Sequence, residues 1–217
     1  MKLAVFDCDG TLIDSQINII RAMASSFARH GLAAPEEHAT RRVVGLSLVE
    51  SMQVLLPDAD NDLHVSLAGD YKSAFQRLRA DKALDAEPLY PGIRDLLDGL
   101  HSDGWLLAVA TGKSDRGLKF ALEHHGIHHL FVSLQTADRH PSKPHPSMLR
   151  AALAEAGARA DEAFIIGDTV FDIAMGQAAG VRSIGVDWGY HDAHELMDAG
   201  ALDVAVDAAQ LLELLNG

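Results

Sequence analysis

Short, continuous apolar runs separated by helical patterns constrain this chain more than any other feature. Leu106-Leu107-Ala108-Val109-Ala110, Ala163-Phe164-Ile165-Ile166, Arg182 to Val186 and Val204 to Val206 are such runs. None alternates polar with apolar residues, so each reads as a strand covered on both faces. Between and after them lie helical patterns: Ile93, Leu96, Leu97 and Leu100, then Leu118 to His124, Met148 to Ala156, and Ile173 to Ala179. Strands alternating with helices predict a parallel sheet with helices on both sides. Leu130-Phe131-Val132 adds a shorter run, and Leu3-Ala4-Val5-Phe6 supplies a first strand far upstream of the others.

What separates that first strand from the rest is helical throughout. Ile17, Ile20, Ala24 and Phe27 recur at helix spacing up to Gly31. Ser47 and Glu50 read as a capping box ahead of Val54, Leu55 and Leu56, with Pro57 as the stop. Leu63, Leu67, Tyr71, Phe75 and Leu78 mark a long amphipathic helix. The expected fold is α/β: a Rossmann-like, doubly wound parallel sheet core formed by residues 1–14 and 88–217. A helical domain, residues 15–87, is inserted after the first strand.

The first run ends in Asp7-Cys8-Asp9-Gly10-Thr11. Side chains alternate along a strand, which puts Asp7 and Asp9 on one face and Cys8 on the other. Carboxylates this close split their pKa values unless a cation intervenes, an arrangement suited to one nucleophile or metal ligand and one proton donor. Asp9-Gly10 is also a hairpin signal, but Leu12 to Ser15 lead into a helical pattern rather than a matching strand. Cys8, the one cysteine, reads as a small buried apolar residue and permits no intrachain disulfide.

The 217 residues carry a formal net charge of -13, which argues against nucleic acid or an anionic membrane surface as partner. No apolar run approaches membrane-spanning length, and Met1-Lys2 runs into only four apolar residues before Asp7, too few for a secretory signal. A cytoplasmic location is the expectation. An anionic small substrate then needs a locally positive pocket or a bound cation.

Ligands of open parallel sheets bind beyond the carboxyl ends of the strands. The residues there are Asp7 and Asp9, then Thr111, Gly112 and Lys113, then Gly167, Asp168 and Thr169 with Asp172 one helical turn on. Lys143 lies in a prolyl loop and precedes Pro144, which restricts it to extended backbone. Each has a structural alternative. Ser114 or Asp115, and Asp168 or Thr169, are potential helix N-caps, Asp172 is a first-turn acid, and Lys143 is a solvated loop lysine.

Taken together, Asp7 to Thr11, Thr111-Gly112, Lys143, and Gly167-Asp168 with Asp172 resemble the ordered motifs of the haloacid dehalogenase superfamily, in its phosphatase branch with a helical cap after the first strand. Leu89-Tyr90-Pro91-Gly92 and Trp188-Gly189-Tyr190 are similar to phosphoglycolate phosphatase-like proteins. The resemblance implies that Asp7 attacks phosphorus and that Asp9 is the acid and then the base. It implies a Mg²⁺ held by Asp7, the Asp9 backbone carbonyl and Asp168. Thr111, Lys143 and backbone groups at Gly10 and Gly112 would bind the phosphoryl oxygens, with Asp172 orienting Lys143 or a metal-bound water. Arg41, Arg42 and Gly45 lie between the first two cap helices, where the resemblance places a loop facing the active site. One of these arginines, Arg42 foremost, is expected with Gly45 to meet the substrate's remote anionic or hydroxyl end.

The function this implies is Mg²⁺-dependent hydrolysis of a small phosphorylated metabolite through an aspartyl-phosphate, phosphoglycolate being the first candidate. A phosphomutase of the β-phosphoglucomutase type and a non-catalytic phosphate-binding module are the alternatives. His124-His125 and His128-His129 read as a solvated cluster, with no cysteine or carboxylate at zinc-site spacing. His140 and His145 flank Lys143, and Trp105 and Trp188 read as packing residues.

Overall fold

The structure is a computed structural model that describes residues 2–217. Its strands β1 (Leu3–Phe6), β2 (Leu106–Thr111), β3 (Phe131–Thr136), β4 (Ala163–Gly167), β5 (Arg182–Val186) and β6 (Asp203–Ala205) form one sheet in the order β3-β2-β1-β4-β5-β6. All neighbouring pairs are parallel. The first strand in sequence is therefore central in space, and its four residues are fully buried.

Alternation along β1 divides the core. Ala4, Phe6 and Cys8 face a cluster that includes Leu96, Leu100, Leu118 and Leu211. These come from α5 (Ile93–Ser102), α6 (Asp115–His124) and α10 (Ala208–Asn216). Leu3 and Val5 face Met148, Leu149, Ala152 and Met175, from α7 (Ser147–Ala156) and α8 (Val170–Ala179). Cys8 is thus core, on the side away from Leu3 and Val5, and burial holds its thiol well above the ordinary range. A short helix α9 (Ala193–Asp198) covers β5 and β6 together with Ile173.

Between β1 and α5 the chain forms α1 (Gln16–Arg29), α2 (Glu37–Arg42), α3 (Leu48–Leu55) and α4 (Asn61–Ala80). This segment buries its own cluster around Met23, Phe27, Met52 and Leu67. It joins no strand to the sheet.

Two local expectations change and a third holds. Ser47 sits at the N-cap of α3 but makes no side-chain cap bond. Its N–H, which Glu50 would accept in a capping box, donates instead to Ser142 Oγ at 2.7 Å, leaving Glu50 Oε2 buried without a hydrogen-bond partner. The strand at Phe131 runs on to Thr136 because Ser133 and Gln135 are buried but satisfied: Gln135 Nε2 donates to Ser133 Oγ, which donates to Glu155. Asp9-Gly10 makes a turn rather than a hairpin. Leu12 and Ile13 both donate to the Cys8 carbonyl and the chain proceeds to α1.

Candidate active site

Sheet register brings the strand ends together. Phe6 pairs with Val109 on one side and Ile166 on the other, and the Asp7 N–H donates to the Ile166 carbonyl at 2.9 Å. Asp7, Thr111 and Asp168 consequently lie along one edge, the carboxyl edge of the three central strands. They are 1%, 1% and 0% exposed. The loop following β3 adds Lys143, a lysine also only 1% exposed.

Lys143 Nζ lies 2.8 Å from Asp7 Oδ1 and donates to Asp172 Oδ1 at 2.6 Å. Asp172 Oδ2 accepts from Thr169 Oγ1 at 2.7 Å and from the Thr169 N–H at 3.2 Å, a capping box that opens α8. One Asp172 oxygen thus caps the helix and the other accepts from Lys143. Burial pulls the Lys143 ammonium towards neutrality, but Asp172 and Asp7 outweigh it and the pKa is raised.

Asp168 Oδ1 accepts from Thr11 Oγ1 at 2.7 Å, and Oδ2 accepts from the Tyr190 N–H at 3.0 Å. Asp7 is less well provided for. Its contact with Lys143 is an ion pair without hydrogen-bond alignment, and Oδ2 has no hydrogen-bond partner among the described residues. Burial, assisted by Asp172 and Asp9 and opposed by Lys143, pushes the Asp7 carboxyl from 3.8 to about 7. Burial and the charges of Asp7 and Asp172 likewise raise Asp168.

Carboxylate oxygens of Asp7, Asp168 and Asp172 lie within 4.8 Å of one another. Three buried acids against one ammonium leave negative charge in excess. An unpartnered hard oxygen on Asp7 sits among them, which is the donor chemistry a divalent cation such as Mg²⁺ requires. The residues present fit such an ion.

Asp9, the second acid, is held from elsewhere. Lys113 Nζ is 2.7 Å from Asp9 Oδ1, and Ser15 Oγ donates to the same oxygen. Lys113 was legible only as a member of the strand-end list, and Ser15 carried no signal beyond its place ahead of α1. Gly10 has φ +88°, and a Cβ there would stand 2.2 Å from Asp168 Oδ2 and 2.6 Å from the Tyr190 ring, so the turn tolerates only glycine. Thr111 Oγ1 accepts from the Lys113 N–H at 3.2 Å.

The helical segment lies over this rim. A Cβ on Gly112 would stand 2.6 Å from the Leu46 carbonyl oxygen and 3.0 Å from that of Gly45, so main chain meets main chain there. Beneath it is a cavity of about 430 Å³ reached by Asp7, Asp9, Thr111, Gly45 and Lys113.

Arg42, expected to meet substrate, does not line this cavity. Its guanidinium makes a two-pronged ion pair with Glu195 of α9, at 2.6 and 2.7 Å, and Glu195 is held down to about 2 by that hydrogen-bonded pairing. The fork geometry of the guanidinium matches a carboxylate so well that Arg42 serves as a tie between α2 and α9.

His124, His125, His140 and His145 have structural partners. His125 Nε2 lies 2.8 Å from the Glu87 carbonyl, and His124 stacks on Phe120. His140 bridges Ser147 Oγ and Gln135 Oε1, each at 2.8 Å, and His145 Nδ1 accepts from the Ser147 N–H. Trp105 is core, and Trp188 Nε1 donates to the Thr11 carbonyl at 3.1 Å, bracing the Asp-rich turn.

Over residues 4–186 the chain matches the family described as haloacid dehalogenase-like hydrolase. It is 32% identical to "Probable phosphatase IndB" of Dickeya dadantii, over 91% of this chain and 86% of that one. It is 29% identical to the phosphoglycolate phosphatase of Vibrio parahaemolyticus, over 99% and 96%. Its fold superposes on the crystal structure of a hydrolase from Pseudomonas syringae with a TM-score of 0.87 at 25% identity, covering 100% of this chain and 98% of that one.

Proposed function

The chain belongs to the haloacid dehalogenase-like hydrolases, and on that footing we propose that it is a Mg²⁺-dependent phosphomonoesterase acting on a small phosphorylated metabolite. The observation that carries this is the buried Asp7 oxygen with no hydrogen-bond partner, on a rim that also holds Lys143, Thr111 and a second acid. A Mg²⁺ would be held by the Asp7 carboxylate, the Asp9 backbone carbonyl and Asp168, and would offset the charge of the phosphoryl oxygens.

The Asp7 carboxylate attacks phosphorus, and the bond to the leaving oxygen breaks, giving an aspartyl-phosphate. Lys113 and Ser15 occupy Asp9 Oδ1, which leaves Oδ2 to hand a proton to the departing alcohol. The same oxygen then takes a proton from water as that water attacks the aspartyl-phosphate. Phosphate leaves and the Asp7 carboxylate is restored. Lys143, gripped by Asp172, and the Thr111 hydroxyl face the transferring oxygens with their geometry already set. The helical segment acts as the cap, its loop closing on Gly112 to exclude water.

Phosphoglycolate, the substrate in the names of several relatives, is the first compound to assay. We expect phosphate release from a panel of small phosphorylated compounds that includes it and an aryl phosphate, abolished by EDTA and restored by Mg²⁺. No release with the protein folded and Mg²⁺ present would reject the hydrolase in favour of a binding module. Movement of label between positions of a sugar phosphate, without phosphate release, would make it a mutase. Gly112→Val is expected to lower kcat/KM roughly ten-fold or more while leaving the Tm of the core within a few degrees, because the added methyls strike the Gly45-Leu46 main chain. Unchanged kinetics would show that the loop need not close there.

A further inference from the structure

The cavity over Asp7 is larger and more apolar than hydrolysis of a phosphate ester requires. At about 430 Å³ it falls within the roughly 300–1,000 Å³ of sites that enclose drug-sized ligands. Away from the reacting rim its wall includes Ile19, Met23, Val43, Val44, Leu48 and Phe75. A phosphorylated two-carbon acid would leave most of that surface uncovered. Apolar wall of this extent is matched by apolar ligand surface.

The cations on the wall are not equivalent. Lys113 is paired with Asp9 at 2.7 Å and Lys72 with Asp138 at 3.1 Å. Arg79, in the last turn of α4, lays its guanidinium over the Phe120 ring of α6 at 3.8 Å. Its Nε is buried with no hydrogen-bond partner. Arg116, one helical turn before Phe120, lines the same cavity and has no ion-pair partner among the described residues. Both line the cleft between the helical segment and the core, and the Arg116 charge disfavours that of Arg79. Glu87, the acid whose charge acts on Arg79, accepts at Oε1 from Asn18 Nδ2 at 2.9 Å. Two guanidinium groups on one cavity wall, neither in an ion pair among the described residues, make a receptor for an anion.

We infer that the substrate is a phosphate monoester with a bulky, largely apolar body and a second anionic group, of carboxylate type, received by Arg79 with Arg116 opposite. This deepens the phosphatase reading and rests on it for the placement of the phosphate at Asp7. An anion bridging α4 and α6 would also relieve the repulsion that cap closure creates, coupling recognition to closure.

The test separates binding from turnover. Meta- and para-carboxybenzylphosphonate and unsubstituted benzylphosphonate, none of them hydrolysable, are titrated calorimetrically into the Mg²⁺-loaded protein. At least one carboxylated probe is expected to bind about ten-fold or more tightly than benzylphosphonate, as one charge-assisted hydrogen bond provides. Arg79→Gln should erase most of that advantage and leave benzylphosphonate affinity unchanged. Arg116→Gln should reduce it less, and decides the matter should the first variant not fold. No carboxylate advantage, or equal weakening of both probes by Arg79→Gln, overturns the inference. So does a kcat/KM for phosphoglycolate above those for meta- and para-carboxyphenyl phosphate, the hydrolysable counterparts of the two carboxylated probes. If no ester is hydrolysed but the carboxylate advantage and its loss are seen, the phosphatase reading falls and the anion receptor stands.

Discussion

Asp7→Asn will release no phosphate from any ester and will nevertheless melt at a higher temperature than the parent protein in EDTA at pH 8. The first half follows from nucleophilic catalysis, since an amide cannot form the aspartyl-phosphate and loss of a nucleophile costs more than about a thousand-fold. The second half follows from burial. Asp7 is 1% exposed, and its pKa rises from 3.8 to about 7 on folding, chiefly through desolvation.

A carboxyl whose folded pKa lies above its unfolded value keeps its proton in the native state while the unfolded chain releases it. Its contribution to stability is therefore lost as pH rises from about 4 to about 7 and stays lost above that. Asparagine removes this penalty and preserves the shape, with Lys143 still held by Asp172 at 2.6 Å. Each kcal/mol is worth about 2–4 °C in a chain of this length, so a rise of roughly 5 °C or more is expected at pH 8, shrinking towards pH 4. Mg²⁺ should raise the Tm of the parent more than that of the variant. Melting curves for both proteins across pH 4–8, with EDTA and with Mg²⁺, check all of this. A variant no more stable than its parent at pH 8 would mean that Asp7 is not the strained acid described above.

Lys143→Met carries the opposite sign and the larger cost. Methionine fills the same space, but it withdraws the one ammonium in contact with Asp7 and Asp172, both fully enclosed. Removing one member of a buried ion pair costs about 3–5 kcal/mol, because the partner's desolvation is no longer offset. The expected result is a Tm lowered by roughly 10 °C or more at pH 8. The loss should be smaller at pH 5, where the orphaned acids can take up protons, and Mg²⁺ should recover part of it. Phosphate release should fall beyond detection in parallel with the lost electrostatic contact to the phosphoryl oxygens. Lys143→Arg tests geometry, for its wider head cannot sit between the two carboxylates at these distances and is expected to be nearly as damaging. A Lys143→Met protein that melts within a few degrees of the parent would show that the acids are already neutral without it.

Much of this architecture was legible because it rests on local periodicity. Continuous apolar runs at Leu106, Ala163 and Arg182 identified parallel strands, and reading the residues at their ends collected Asp7, Thr111, Asp168 and Asp172 before any coordinates. Lys143 was separable from a solvated lysine only through Pro144 and the family likeness; its enclosure by two acids was not. Where polar residues interrupted a run, as Ser133 and Gln135 do in β3, the pattern stopped short of the strand, since their satisfaction by Glu155 and each other is a tertiary fact. Arg42 misled for a related reason. A cation in a loop facing a phosphate site suggests an anion receptor, but Glu195 arrives from 153 residues away to take it.

The sequence by itself determined the sheet, the helical insertion, and which acids meet at the carboxyl edge, because strand polarity and side-chain alternation follow from spacing along the chain. Only the tertiary structure decided which cations are committed to an acid, Lys113 to Asp9, Lys72 to Asp138 and Arg42 to Glu195, and which is not: Arg79 lies over Phe120 at the cavity wall, in no ion pair among the described residues. Charge pairing depends on separations of a few ångströms between groups far apart in the chain, and no local period encodes those separations.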